Sequence, residues 1–512
     1  MSIEVFEQLK TLAKQWLSNI RLFSKLVIHR QLFAYQLTPA NAIIQSVLYN
    51  KGLEFAVLFP RQSGKNETQA QLEAYLLNLF QRVPGAQIVK AQPTLRPQAL
   101  NAMHRLEGTL CNDWTAGRWR KKEDYIYELD RARMLFFSAE PSANVVGATA
   151  SLLLEGDEAQ DILESEWARK FEPMMAFTNA TSVLWGTAWT GNTLLAKTIK
   201  RLKALEAADG VRRVFVVSPD EVAKENKAYG QFVERQIAKY GRQHPFVKTQ
   251  FFNEEINSEG GMFPPARRAM LFGSHPRQDS PTPGRLYAAT IDIAGEDEAI
   301  ASGLAALDNP KRDSTVLRIV EVDLSTQRDA LIGAPTYKTV HMRSWIGVKH
   351  TSIYAQLRAV IQHWNPAQIV ADATGVGAGL VSFLSAAFPD RVLAFDFSGP
   401  SKSQLGWDLL ALAETGRCLH YTSSAGSEDE HTATYRRQLE FCQYEIVPGP
   451  ARSMRWGVPD GTRDPATGEH VHDDYIITAA LCSQLDQLEW TTPGPTLIIH
   501  QPDPLEEMSH GV

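Results

Sequence analysis

Continuous apolar runs and helix-spaced stretches alternate along much of this chain. Between residues 54 and 218 the runs are EFAVLFP (54–60), AQIVKAQ (86–92), RMLFFSAE (133–140), SLLLEGDEA (151–159), TSVLWGTA (181–188) and RRVFVVS (212–218). Unbroken apolar runs suit strands covered on both faces, as in a parallel sheet. Stretches with helical spacing, such as ETQAQLEAYLLNLFQRV, lie between them. The rhythm predicts a doubly wound α/β domain over 41–252, preceded by a helical segment over 1–40.

Residues 253–285 interrupt this pattern. They are rich in Gly, Pro and Ser, which predicts a linker. LYAATIDIA, STVLRIVEVDLS and YKTVHMRSWIG then read as consecutive strands. A helix (SIYAQLRAVIQHW), a strand (AQIVADAT), a helix (GLVSFLSAAF), a strand (RVLAFDFS) and further helices follow. This is the element order of a ribonuclease-H-like domain, expected over 286–490. The Pro-rich remainder, 491–512, is expected to be a loosely ordered tail.

Composition adds bounds. At roughly 100–200 residues per domain, 512 residues imply two to four domains. An apolar fraction of 44% and a charged fraction of 21% are ordinary for a globular protein. A net charge of −6 leaves room for a local basic groove. Cys111, Cys418, Cys442 and Cys482 are widely spaced, which argues against a zinc ribbon or a disulfide scaffold. The start, MSIEVFEQLKTLAKQWLSNI, reads as a charged amphipathic helix and not a signal peptide. No run of roughly 18 apolar residues appears, so no membrane span is expected.

Candidate chemistry begins at PRQSGKN, between a strand and a helix. That context suits a phosphate loop, in which backbone N–H groups and a helix N-terminus meet an anion. The loop is Arg61, Gln62, Ser63, Gly64, Lys65 and Asn66. Lys65 would reach the β/γ-phosphates of ATP and Arg61 the γ-phosphate. Phe59 stands where the first glycine of G-x-x-x-x-G-K-[ST] belongs, and Asn66 where Ser or Thr would meet Mg²⁺. An amide oxygen can replace that hydroxyl, so the loop reads as a variant site; taken alone, it also reads as a surface turn. Asp157 and Glu158 end a second apolar run, where one carboxylate can hold magnesium and the next activate water; alone, the pair also reads as a helix cap. Thr187 ends a third run and could sense the γ-phosphate.

The second half carries acidic positions on its strand ends and a late helix. Asp292 lies in TIDIAGEDEA, Asp372 ends IVAD, and Asp473 and Asp474 open HDDYIITAALC. Each singly could be a turn or cap. In a ribonuclease-H-like order these positions converge, and clustered carboxylates need cations. Paired divalent ions would suit phosphodiester cleavage. Asp313 and His472 are further candidates; a zinc pair at His470 and His472 is not expected without nearby cysteines.

FPRQSGKNE, LLLEGDEAQDI, WGTA, TIDIA with RDST, IVADATGVGAGL and HDDYIITAAL stand in the order seen in the large terminase subunits of tailed bacteriophages, and over about residues 40–485 the chain resembles that family. The resemblance implies an ATPase-endonuclease that packages double-stranded DNA. It implies Lys65 and Arg61 in the phosphate loop, Asp157 on magnesium, Glu158 on water and Thr187 in coupling. It implies nuclease metals (Mg²⁺ or Mn²⁺) on Asp292, Asp372 and Asp473 or Asp474. It also implies a small terminase subunit and a portal protein as partners, a homo-oligomeric ring and no membrane, in the host cytoplasm. A trans-acting arginine could come from Arg96, Arg105, Arg118 or Arg120. WTAGRWRKK (114–122) and KTIKRLK (197–203) could touch DNA phosphates, or be solvated faces. Competing readings are a repair helicase-nuclease and a non-catalytic assembly protein with a decayed nucleotide site.

Overall fold

The computed structural model describes residues 11–143, 145, 147–257, 259–294, 314–346, 348, 350–375, 377–422, 429–447, 451–465 and 467–490. The expected tail and Asp313 lie outside the described residues. The chain divides into two compact units. The first holds the residues up to Gly260 together with Glu445–Arg455; the second holds Gly261–Tyr444 and the residues from Trp456 onwards.

In the first unit all the expected strands form. They are β1 (Glu54–Leu58), β2 (Gln87–Gln92), β5 (Ala132–Ser138), β6 (Leu153–Gly156), β7 (Thr181–Gly186) and β8 (Val214–Val216), with β3 (Trp119–Lys122) and β4 (Ile126–Leu129) added. They make one sheet in the order β3-β4-β5-β2-β6-β7-β1-β8. From β5 to β8 every pairing is parallel, and β6 and β7 are buried throughout. The unbroken apolar runs are thus explained by cover on both faces. The first unit is a P-loop NTPase-type α/β sheet. β7 separates β1 from β6, and Leu58 pairs with Gly186, so the loop after β1 and Thr187 leave the sheet side by side.

The N-terminal helices Ile20–Leu26 and Ala34–Leu48 share the core with the helix Lys65–Phe80; Ile20, Phe23, Leu37 and Ile43 are buried with Leu72 and Tyr75. WTAGRWRKK falls partly in β3, the edge strand of an antiparallel hairpin with β4. Its charges fit an edge that must resist further pairing, and they are engaged: Lys121 meets Glu107 at 3.1 Å and Lys122 meets Glu128 at 2.8 Å. In KTIKRLK, Lys197 and Arg201 likewise pair with Glu164 and Glu54, each at 2.6 Å.

Residues 253–285 are not a bare linker. They include a strand β9 (Glu259–Gly261), a helix Pro265–Met270 and a strand β10 (Phe272–Pro276). The Pro and Gly residues mark turns as expected, but Met262, Phe263 and Leu271 are buried and anchor the stretch.

The second unit contains β11 (Tyr287–Asp292), β12 (Ser314–Asp323), β13 (Thr336–Ile346), β14 (Gln368–Asp372), β15 (Val392–Phe395) and β16 (Cys418–Thr422). The sheet order is β10-β16-β13-β12-β11-β14-β15. β11, β12 and β13 are antiparallel neighbours, and β14 and β15 add in parallel beside β11. This is a ribonuclease-H-like α/β sheet, extended at one edge by β16 and β10. Ile291, Ile319, Val340 and Ala371 point to one face, with the helices His350–Trp364 and Gly377–Ala387. The helix Asp474–Leu481 lies on the other: Thr290 Oγ1 donates to the Thr478 carbonyl at 2.8 Å. Arg318, fully buried on β12, donates to Thr478 Oγ1, Thr339 Oγ1 and the Tyr475 carbonyl. Among the described residues no helix is long and apolar enough to cross a membrane.

One buried ion pair braces the first unit. Lys90 on β2 meets Glu73 of the helix Lys65–Phe80 at 2.7 Å, both being almost inaccessible. Lys90 also donates to Gln69 Oε1 at 3.1 Å. Beside the pair, burial and then Glu73 push the Glu155 carboxyl well above its usual range, and Trp185 Nε1 donates to it at 3.0 Å. Removing one partner of such a pair strands the other in low dielectric. We therefore expect Lys90→Met to destabilise the first unit by about 3–5 kcal/mol. Lys90→Met combined with Glu73→Leu should cost less. Thermal unfolding followed by circular dichroism checks this, and an unchanged transition in the single variant would show the pair to be dispensable.

Candidate active sites

The loop after β1 turns through two left-handed positions, Gln62 with φ 63° and Gly64. Gly64 caps the helix Lys65–Phe80 with φ 92°, and a Cβ there would lie 2.7 Å from Gln36 Nε2. The left-handed backbone favours glycine, and a Cβ would also displace the Gln36 amide. The N-terminal helix Ala34–Leu48 supports the loop from behind. Tyr35 donates its hydroxyl to the Ser63 carbonyl at 2.9 Å, and Gln36 Nε2 donates to the Gly64 carbonyl at 3.1 Å. Ser63 turns inward and donates to the Pro60 carbonyl at 2.6 Å. The Arg61 N–H donates to the Gln250 carbonyl at 2.6 Å, while its guanidinium is exposed and 5.9 Å from the Phe246 ring.

Lys65 is buried, with Nζ 2.7 Å from Asp157 Oδ1 and 2.7 Å from Glu158 Oε1. Burial opposes its charge, but the two carboxylates outweigh burial and hold its pKa above the ordinary lysine value. For Asp157 the balance runs the same way. Burial would raise its pKa; Lys65 and then Lys90 hold it well below the usual carboxylate range. Asp157 also accepts from Gln69 Nε2 at 3.0 Å, from Gln92 Nε2 at 3.2 Å and from the Glu158 N–H at 3.0 Å. Glu158 adopts a left-handed backbone, φ 49°, an unusual state for a residue with a Cβ.

Gln160 links this pair to the end of β7. Its Nε2 donates to Glu158 Oε2 at 2.7 Å and to Asp161 Oδ2 at 3.1 Å, and its Oε1 accepts from the Thr187 N–H at 3.2 Å. At Gly186 a Cβ would collide with that same Oε1. Thr187 Oγ1 is buried and finds no hydrogen-bond partner among the described residues.

These groups open on one cavity of about 570 Å³, within the size range of small-molecule sites. Arg61, Gln62, Gly64, Lys65, Asn66, Glu158 and Thr187 all border it. The structure thus brings together the loop, the acidic strand end and Thr187. Asp157 sits behind Lys65. Sequence reading missed Gln69, Gln92 and Gln160, whose neutral amides carry no motif. It also missed Asp161 and Arg452, which border the cavity too. Of the arginines weighed as donors to a neighbouring copy, Arg105 borders this cavity in its own chain, whereas Arg118 lies over Trp114, 5.5 Å from its ring.

In the second unit Asp292 and Asp372 are the last residues of β11 and β14. The parallel register between these strands runs to Ile291 opposite Ala371, so the two carboxylates follow one step later on neighbouring strands. They share the face of Thr290, where the helix Asp474–Leu481 packs. Asp474 opens that helix, and its Oδ2 accepts from the Ser314 N–H at 2.9 Å and from Ser314 Oγ at 2.6 Å. Its neighbour diverges: Asp473 Oδ2 lies 3.7 Å from Lys402 Nζ. Burial pushes the Asp372 carboxyl above its usual range; the Thr374 hydrogen bonds oppose this and Asp396 adds to it.

Asp396, just beyond β15, is an acidic strand end that sequence reading passed over, although RVLAFDFS carries the same signal as IVAD. His470 and His472 stand with ring centres 6.4 Å apart. The carboxylates are oxygen donors of the kind magnesium prefers. Among the described residues, however, no three His, Cys, Asp or Glu side chains gather closely enough to hold a metal ion.

No protein-family model matches the chain, and no curated protein does. Among solved structures it is similar to the large terminase of a thermophilic bacteriophage, at 11% identity and a TM-score of 0.47, over 90% of this chain and 100% of that one. It is similar to the HK97 bacteriophage large terminase at 13% identity and a TM-score of 0.38, over 92% and 99%. It is also similar to the large terminase nuclease of a second thermophilic phage, G20c, with bound magnesium, at 18% identity and a TM-score of 0.30, over 44% of this chain and 96% of that one. All three neighbours are large terminases of phages.

Proposed function

We propose that this chain is the motor subunit of a viral DNA-packaging machine, an ATPase joined to a metal-dependent endodeoxyribonuclease. The observation that carries the reading is the buried Lys65–Asp157–Glu158 cluster beside a glycine-capped helix N-terminus. A phosphate site needs such a helix end, an adjacent lysine and a carboxylate able to take a proton from water. The motif order from the phosphate loop to the late acidic helix supports joining this activity to DNA cutting.

The chain's own groups suggest how hydrolysis proceeds. Without an anion, Lys65 is neutralised by Asp157 and Glu158. A triphosphate arriving at the N–H groups of Gly64 to Asn66 competes for the Lys65 ammonium. That frees Glu158 to orient a water and accept its proton. The Thr187 hydroxyl, which has no partner among the described residues, borders the cavity where it could donate to the terminal phosphate and register its loss. Asn66 and Asp157 supply the oxygens that would hold a magnesium ion, which when bound would screen the phosphate charge. In the second unit Asp292, Asp372 and Asp474 are the groups that would hold nuclease cations, with Asp473 at its edge beside Lys402. Double-stranded DNA, a small terminase subunit, a portal ring and further copies of this chain are the expected partners.

Two measurements test the proposal. Lys65→Ala should lower ATP hydrolysis by about 10²-fold or more, while Asn66→Ser retains it. Equal rates in wild type and Lys65→Ala would remove the ATPase assignment. Wild type should nick plasmid DNA with Mg²⁺ or Mn²⁺, and Asp292→Ala should lose nicking while keeping ATP hydrolysis. Metal-dependent cutting that persists in Asp292→Ala would sink the nuclease assignment.

A further inference from the structure

The cavity beside Lys65 contains a cation that arrives from far down the chain. Residues Glu445–Arg455 belong to the first compact unit, although the chain on both sides of them belongs to the second. Arg452, in this returning segment, borders the same cavity as Lys65, Glu158 and Thr187. It adopts a left-handed backbone with φ 50°. Its Cζ lies 4.6 Å from the centre of the buried Trp189 ring, and its Nη2 is 3.5 Å from Asp161 Oδ2. Contact with the face of Trp189 holds the guanidinium at the cavity's border, and a guanidinium so placed keeps N–H donors that an anion can meet.

The contact with Asp161 is at the long limit of a hydrogen bond, and burial keeps that carboxyl above its usual range although Arg452 pulls the other way. Asp161 is joined through Gln160 Nε2 to Glu158, and Gln160 Oε1 accepts from the Thr187 N–H. Arg452 therefore stands on the side of the cavity held by Glu158 and Thr187. In-line attack places the terminal phosphate on that side.

We propose that Arg452 is a nucleotide-binding residue that contacts the γ-phosphate, exchanging its loose pairing with Asp161 for the anion. This rests on the nucleotide reading of the cavity. A planar guanidinium suits a phosphate better than the single carboxylate oxygen it now meets.

The test uses the full chain and measures binding of ATPγS and ADP by calorimetry. Wild type must bind both; failure to bind either overturns the nucleotide reading itself, and the role of Arg452 with it. If wild type binds, Arg452→Ala should weaken ATPγS by about 10- to 100-fold, the worth of one charge-assisted phosphate contact, and change ADP by no more than about threefold. Arg452→Lys should fall between wild type and Arg452→Ala, because it keeps the charge and loses the fork. Equal weakening of ATPγS and ADP, with a lowered melting point, would show Arg452 to be structural and overturn the inference. So would unchanged affinity for both nucleotides.

Discussion

A lysine ammonium buried between two carboxylates sets the conditions for the first unit. Lys65 can sit there charged only because Asp157 and Glu158 lie 2.7 Å away, and an unpaired charge at that depth would be costly. The requirement propagates outward. Asp157 must stay ionised, so Gln69 and Gln92 turn their amide donors to it. Gln69 must present that donor, and Lys90 holds its carbonyl oxygen. Lys90 in turn needs Glu73. A chain of compensations thus runs from the cavity into the sheet, and the backbone delivers each member: Gly64 by its left-handed turn, Asp157 and Glu158 by the end of β6, Lys90 and Gln92 by β2.

This arrangement explains which parts were legible in the sequence. The strands from β1 to β8 that carry apolar runs announce themselves, because cover on both faces favours apolar residues at successive positions, with a few paired polar groups such as Lys90 and Glu155 among them. The positions of the loop after β1, of Asp157 and Glu158, and of Thr187 are legible for a related reason: each follows such a run at once, so locating the strand locates the residue. The hairpin β3–β4 is illegible by that rule. WRKK forms an edge strand whose face is exposed, so no hydrophobic pattern marks it. Residues 253–285 misled because Gly and Pro dominate the composition, while the few apolar side chains that anchor them, Met262, Phe263 and Leu271, are spread thinly among the turns.

Gln160 shows a different limit. Its amide touches Glu158, Asp161 and the Thr187 backbone at once, yet a glutamine in LLLEGDEAQDI has no chemical signature that separates it from any solvated glutamine. The collision that a Cβ at Gly186 would cause explains why the strand-end residue before Thr187 is glycine, but only the folded chain brings the two together. Arg452 is more remote still, since its place depends on a segment that leaves one unit and is counted with the other. Roles set by long-range packing have no local pattern to read.

The two units surround their strand-end carboxylates with different groups. In the first unit the protein supplies its own countercharge: Lys65 lies 2.7 Å from both Asp157 and Glu158. In the second, Asp474 accepts from the Ser314 hydroxyl and N–H, which are neutral donors. Asp372 has Thr374 donors opposing the effects of burial and of Asp396. Dipoles moderate a carboxylate's charge but do not cancel it. The two adjacent aspartates differ in surroundings: Asp473 lies 3.7 Å from Lys402 Nζ, and Asp474 turns to Ser314 at the start of β12.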